Sequence, residues 1–183
     1  MVTVATAEQP QMDDELLMAR FGAGHAEAFD ELYQRYEGPL YGFCTRLLGD
    51  EDEAADAFQE TLIRVIEQRA SYRAGRFRSW VFTIARNECL DRVRRVGRQA
   101  RLLELHAPDD PNRVDTAAAI DARDELTKLL AELPSEQREI TLLHRYHGFS
   151  YAEIARMTGS SEAATKQKAY RALLTLRRVR HGE

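Results

Sequence analysis

From His25 to Leu48 apolar side chains return at steps of three and four: Phe29, Leu32, Tyr33, Tyr36, Leu40, Phe43 and Leu47. That spacing is one face of a helix, and the helix it predicts should be kinked or split at Gly38-Pro39. A shorter helix precedes it over Asp13–Phe21, with acidic residues in the first turn, where the helix dipole favours them. After Gly49-Asp50 a third begins in the acidic run at 50–56, with Ala54, Ala57, Phe58, Ile63 and Ile66 expected inward and Asp52, Asp56, Glu60 and Arg64 along a more exposed side. Arg69–Arg76 reads as a loop. Phe77–Val96 then carries a stripe of Phe77, Trp80, Val81, Ile84, Ala85, Leu90 and Val93. Periodicity collapses from Gln99 to Ala119, a proline- and aspartate-bearing stretch that reads as a linker. Beyond it, Leu126, Leu129, Leu130 and Leu133 mark a helix over Ile120–Leu133; Pro134 stops it, and Glu136–Tyr146 follows with Ile140 and Leu143 inward.

The last stretch, Gly148–Arg178, is the most specific. Ser150 and Glu153 form a capping box, Ile154, Ala155 and Met157 give one apolar side, and Gly159 supplies a left-handed stop. Ser160 and Ser161 can cap a second helix in which Thr165, Ala169, Ala172 and Leu176 share a face. Two short helices around a glycine turn, the second with a polar and cationic outer face, make a helix-turn-helix. The prediction is an all-α chain of two small helical domains, 13–98 and 120–181, joined by a flexible acidic linker at 99–119 and preceded by a loose tail at 1–12.

Charge alters this picture by its distribution. The net charge is −4, which alone argues against nucleic acid. Yet residues 1–63 hold 3 basic against 14 acidic side chains, 64–101 hold 11 against 3, 102–136 hold 3 against 9, and 137–183 hold 9 against 4. Two cationic blocks alternate with two anionic ones, so there are two candidate nucleic-acid surfaces. In the first, an aromatic-bearing cationic loop feeds an arginine-rich helix, which suits opened single strands. Its candidates are Arg69, Tyr72, Arg73, Arg76, Arg78, Trp80, Arg86, Asn87, Arg92 and Arg95. In the second, the candidates are Ser161, Thr165, Lys166, Gln167, Lys168, Tyr170, Arg171 and Arg178. Arginine and lysine suit guanine and glutamine suits adenine, so Lys166, Gln167, Tyr170 and Arg171 are the base-facing expectation. Lys168 and the Arg177-Arg178 pair are expected on phosphate.

Catalysis finds no support. The acidic cluster at 50–56 has no histidine, nucleophile or glycine-rich loop beside it, and no metal or cofactor set is expected. Cys44 and Cys89 lack metal-ligand spacing and sit in apolar helical patterns, the mark of buried free thiols in a reducing cytoplasm. No run approaches the ~18 apolar residues of a membrane helix, so no membrane insertion is expected. Residues 1–11 lack the charged and apolar parts of a signal peptide.

These residues together resemble the bacterial extracytoplasmic-function sigma factors. Phe58–Ile66, FQETLIRVI, is similar to the family's (V/A)QETFLRAW; Phe77–Val81 and Ile84–Asn87 resemble FRAWLYRIARN; Leu90–Arg95 resembles LDRLRR. Leu133-Pro134 to Arg138 resembles LPxxxR, and GFSYAEIARMTGSS resembles GxSYxEIAxxxGxS. The resemblance implies an initiation factor for core RNA polymerase. It implies docking on the beta-prime clamp helices through Asp52, Asp56, Gln59, Glu60 and Arg64, a contact with the beta flap, capture of the melted −10 strand by the first domain, and −35 recognition in the major groove by the second. An anti-sigma factor clamping both domains is the implied restraint, since no sensor segment is recognised. Two departures stand out. The recognition helix reads ATKQKAYRA at 164–172 where the family has TVKSRLHRA, and Val65-Ile66 stands where alanine-tryptophan is common. The alternative is a stand-alone helix-turn-helix regulator of duplex operators, which would have no use for the first cationic block.

Overall fold

A computed structural model of the chain describes residues 12–70, 72–73, 75–104 and 125–181. Helices α1 (Asp14–Gly22), α2 (Ala26–Leu48), α3 (Glu51–Gln68) and α4 (Phe77–Glu104) pack as one bundle. Helices α5 (Glu125–Ala131), α6 (Ser135–Thr141), α7 (Tyr151–Thr158) and α8 (Glu162–His181) make a second. All regular structure among the described residues is helical.

The local reasons are legible at the helix ends. Asp13 caps α1, its Oδ1 accepting from the Glu15 amide at 3.3 Å, and Asp50 caps α3, accepting from the Glu53 amide at 2.9 Å. Gly49 closes α2 at φ 74°, a left-handed conformation that glycine adopts without steric cost. Of the kink or split expected at Gly38-Pro39, the split does not occur: α2 runs unbroken across Pro39. Gly38 and Pro39 both lie on its exposed side, where solvent can satisfy the carbonyl that proline's missing donor leaves behind.

The first core is built on Leu17, Leu32, Leu40, Phe43, Val81, Phe82 and Cys89, all at most 2 % exposed. Fully burying such a side chain is worth roughly 1.5–3 kcal/mol. Within α3 the inward positions fall to Ala54, Ala57, Phe58, Thr61 and Val65. Ile63 and Ile66, expected inside, are 47 % and 39 % exposed. Thr61 takes the inner place because its hydroxyl donates to the Ala57 carbonyl at 2.7 Å and so buries no unpaired donor. Cys44 and Cys89 are free and buried, and the hydrogen bond the Cys89 thiol makes to Cys44, then burial, holds that thiol far above its ordinary pKa.

Helix α4 continues to Glu104, so the segment expected to open the linker at Gln99 begins as helix. The rest of the expected linker, 105–119, the expected tail up to residue 11 and the expected helix start at Ile120 lie outside the described residues. After α6 the chain widens into a π-helical turn, Leu142–Tyr146, with the His147 amide donating to the Leu142 carbonyl, five residues back, at 3.1 Å. Gly148, at φ 66°, then reverses the chain into the helix-turn-helix. The π turn brings His147 and Phe149 against the first bundle. Their rings lie 4.5 and 5.4 Å from Phe82, so the two cores meet along α4. Arg138 ties the same junction. Its guanidinium donates to the Leu130 and Ala131 carbonyls of α5 and, across the junction, to the Leu47 carbonyl of α2, each at 2.9 Å.

Candidate nucleic-acid interface

The first surface is organised by α4 and the loop before it. Glu15 accepts from the Phe77 amide at 3.0 Å and so caps α4 from α1. Tyr72 donates to the Gly75 carbonyl at 2.7 Å, which closes the loop, and its ring sits 5.0 Å from Trp80 and 6.2 Å from Phe77. Burial lifts the Tyr72 hydroxyl above its ordinary pKa. Around this aromatic step, Arg73, Arg76 and Trp80 line an open groove of about 470 Å³ whose far wall is Arg156 and Met157 of α7. Asn87 and Arg95 are exposed.

Several expected strand contacts are spoken for. Arg92 is the plainest correction: it is buried, its Nε 3.4 Å from Glu53 Oε2 and its Nη1 3.5 Å from Glu88 Oε2. A guanidinium buried among carboxylates of its own domain holds the fold together and has no surface to offer. Arg69 donates to the Ile66 carbonyl at 2.7 Å and lies over the Phe21 ring, closing the end of α3. Arg76 pairs with Glu153, and Arg86 with Glu139. Arg78 donates to the His147 carbonyl and stacks 4.5 Å over the Phe149 ring.

The second surface is the outer face of α8. Ser161 caps the helix, its Oγ accepting from the Ala164 amide at 3.1 Å. Capping box and left-handed Gly159 both form, with Gly159 at φ 67°. Ser150 holds the Glu153 carboxyl below its ordinary range. Thr165 is fully buried, hydrogen-bonded to the Ser160 hydroxyl at 2.9 Å and the Ser161 carbonyl at 3.0 Å, so it fastens the turn and faces away from solvent. Lys166 pairs with Glu162, and Lys168 with Glu136 of α6, each at 2.7 Å. Gln167, Tyr170, Arg171 and Arg178 are exposed, Tyr170 at 62 %. Leu174, 40 % exposed, continues this stripe one turn on and was missed from sequence, although its seven-residue step from Gln167 was available.

A third surface runs along α3. Asp52, Asp56, Gln59, Ile63 and Ile66 are all exposed, and their steps of four, three, four and three put them on one stripe. It is acidic at one end and apolar at the other. Glu60 and Arg64 stand beside it, Arg64 reaching inward to the buried Glu88. No described helix is long and apolar enough to cross a membrane, and no group of three or more metal-binding side chains comes together among the described residues.

Comparison with known proteins assigns both bundles. Sigma-70 region 2 matches residues 32–99 and Sigma-70, region 4 matches residues 123–176. The RNA polymerase sigma factor CarQ of Myxococcus xanthus is 31% identical over 168 residues, covering 88% of this chain and 94% of that protein. The ECF RNA polymerase sigma factor SigL of Mycobacterium tuberculosis is 35% identical over 173 residues, covering 87% and 94%. Among solved structures, the sigma factor RpoE in complex with the anti-sigma factor NepR from Bartonella quintana aligns at TM-score 0.67 with 26% identity, covering 81% of this chain and 93% of that one. CnrH in complex with the cytosolic domain of CnrY shares the fold at TM-score 0.69 and 23% identity, covering 93% and 98%. The chain belongs to the sigma-70 family, in its extracytoplasmic-function (ECF) branch.

Proposed function

We propose that this chain is an alternative sigma factor that engages core RNA polymerase and directs it to promoters by a two-point grip on DNA. One observation carries the reading: a single chain presents a strand-type surface of stacked aromatics and arginines on region 2 and a duplex-type surface on the recognition helix of region 4. A regulator of closed duplex needs only the second.

The α3 stripe of Asp52, Asp56, Gln59, Ile63 and Ile66 is the docking surface for the beta-prime clamp helices, its apolar end adding area that carboxylates alone lack. A groove of about 320 Å³ between the π turn and α8, with Ile140, His144, Leu173 and Leu176 among its walls, suits the beta flap. Tyr72, Arg73, Arg76, Arg78, Trp80, Arg86, Asn87 and Arg95 take the melted −10 strand, aromatic rings against bases and guanidinium groups along phosphates. Gln167, Tyr170 and Arg171, flanked by Lys166, read the −35 element, while Ser161, Arg178 and the partly engaged Lys168 lie toward phosphate. An anti-sigma factor is the expected restraint and the cytoplasm the expected compartment; the side chains themselves perform no catalysis.

The test is run-off transcription with purified core polymerase on a random-promoter library. Addition of the chain is expected to give promoter-directed transcripts sharing a −35 and a −10 motif; transcripts indistinguishable from those of core alone would overturn the reading. In the same assay, Arg171→Ala should lose about 1–3 kcal/mol of preference at a single −35 position, whereas a uniform loss over all sequences would move Arg171 to the phosphate class.

A further inference from the structure

Helix α8 holds two lysines and four arginines, and the two kinds differ in what faces them. Lys166 Nζ stands 2.7 Å from the Glu162 carboxylate, one turn back on the same helix, and Lys168 Nζ stands 2.7 Å from Glu136 of α6. Arg178 reaches the Thr175 hydroxyl at 3.5 Å, and neither it nor Arg171, Arg177 or Arg180 has a carboxylate partner among the described residues. The lysines also have a particular place. They stand one residue either side of Gln167, each about 100° round the helix from it. The two therefore flank the exposed stripe of Gln167, Tyr170, Arg171 and Leu174. With the helix in a major groove, the stripe meets base edges and the flanks meet the phosphate backbones.

Cations on those flanks raise affinity for any duplex, since phosphate attraction carries no sequence information. Here each is answered by a carboxylate. Lys168, by its hydrogen bond and then by its charge, holds the Glu136 carboxyl below its ordinary range, so Glu136 is ionised at neutral pH. An ammonium is a compact point charge that one carboxylate can occupy, whereas a paired guanidinium keeps further donors free. If Lys168 stays with Glu136, the phosphate opposite goes unneutralised. If it leaves, the bare carboxylate faces that same phosphate. Either course cuts the gain from phosphate. We propose that Glu136 and Glu162 are selectivity residues of the −35 surface, counter-charges that hold its phosphate attraction down so that binding depends on Gln167, Tyr170 and Arg171. This rests on the duplex-reading assignment of α8. The energy differences between sequences stay as the base contacts set them. What the carboxylates set is the level of affinity, and with it how many imperfect sites fill. Glu136 acts through Lys168 and is a positioning residue.

The first test uses the full chain without polymerase and a labelled duplex of arbitrary sequence, read by fluorescence anisotropy over a salt series. A lysine freed for one phosphate steepens the fall of log affinity with log salt by about 0.9, which is about eightfold in affinity at ~0.1 M salt. Glu136→Gln is expected to show that change, and Glu136→Gln/Glu162→Gln about twice the change in slope. In a Lys168→Gln background, Glu136→Gln should leave the slope where that background sets it. Glu132→Gln, the same loss of charge on an exposed residue just past α5, should not reproduce the gain. The side chains of Glu136 and Lys168 are 67 % and 36 % exposed; a pair this exposed adds little to folding, and circular dichroism checks that the variants fold. The second test adds core polymerase and a random-promoter library, with holoenzyme in excess over template. The wild-type chain should serve a narrow set of −35 sequences, and Glu136→Gln a wider set that includes single mismatches.

An unchanged slope in Glu136→Gln, an equal gain in Glu132→Gln, or a gain that persists without Lys168 would overturn the proposal. So would a steeper slope with an unchanged −35 set in a chain that does direct transcription, because phosphate attraction would then not govern site choice. A steeper slope in a chain that directs no promoter-specific transcript would support the counter-charges and overturn the sigma reading instead.

Discussion

Replacing Arg92 separates two roles that one arginine cannot hold together. As a phosphate ligand it would be dispensable for folding; as a buried ion it is required. Its side chain is 10 % exposed and that of Glu88 is 9 %. Beyond the two carboxylates it also donates to the Glu88 carbonyl at 3.3 Å. Removing one partner of a buried pair costs about 3–5 kcal/mol, because the other charge is left in a poor dielectric. Here Glu88 keeps Arg64 and Glu53 is 44 % exposed, which places Arg92→Gln near the lower end, about 3 kcal/mol. At ~4–8 °C per kcal/mol for a domain of this size, Tm should fall by about 12–24 °C. Arg92→Lys keeps the charge without the fork and should fall by about half as much. The assay is thermal denaturation followed by single-strand binding over a salt series at a temperature where both proteins are folded. Losing a strand phosphate contact lowers the slope of log affinity against log salt by about 0.7. The expected result is a large drop in Tm with the slope unchanged. An unchanged Tm with a slope lower by that amount would refute the structural account of Arg92.

Three further outcomes are open to similar measurements. Burial, then Arg78 and Arg46, depress the His147 pKa from 6.5 to about 4, so the folded chain holds it neutral while the unfolded chain protonates it; stability is full above pH 6.5 and falls as the pH drops toward 4, by up to about 3 kcal/mol at ~1.4 kcal/mol per tenfold in proton affinity. Urea melts at pH 7.5 and 5 should show this loss and His147→Gln should remove its share; equal pH dependence in both proteins would count against it. Arg138→Lys should cost about 2–3 kcal/mol in the same melts, since an ammonium cannot span carbonyls of both α5 and α2 and a charged hydrogen bond is worth ~1.5–3 kcal/mol; a cost under about 0.5 kcal/mol would show the fork to be incidental. Gly159→Ala meets no neighbouring atom but must hold φ near 67°, so a purely conformational loss of about 1–2 kcal/mol is expected, and a neutral result would mean the turn re-forms without the left-handed residue.

Sequence reasoning reads local chemistry well and partner choice poorly, and particular residues show why. Ser150, Gly159 and Ser161 were legible because a cap is satisfied within three or four residues of itself. The stripe of α2 was legible too, since seven apolar positions repeat over one face. Ile63 and Ile66 were misplaced because apolar character was taken for burial, while the helix met the core with Thr61 and Val65. A split at Pro39 was allowed for because its exposure could not be known. Arg92 and Thr165 went astray for a related reason: each is polar, and each is satisfied within the fold, by the buried Glu88 in one case and the half-buried Ser160 hydroxyl in the other. No period in the chain announces such a partner. The Arg86–Glu139 and Arg76–Glu153 pairs, 53 and 77 residues apart, lie beyond any local pattern.

The arginines of the first domain are thereby divided by where their partners reside. Arg69 and Arg92 are held by groups of their own domain, and domain separation leaves them as they are. Arg76, Arg78 and Arg86 are held by groups of the other domain, and separation releases all three at once. Arg73 and Arg95 are exposed in either case. On the proposed reading, the cationic strength of the strand surface depends on the interdomain arrangement as much as on composition. Three guanidinium groups freed together would change the salt dependence of strand binding by about 2 in slope, at ~0.7 per phosphate. The alternation of charge along the chain makes this possible. A basic block can be neutralised by two well-placed carboxylates of another basic block while both keep their excess of positive charge for DNA. On the proposed reading, the face that Arg78, Phe82 and Arg86 share serves both the junction of the two domains and promoter engagement, so a substitution there is expected to move both.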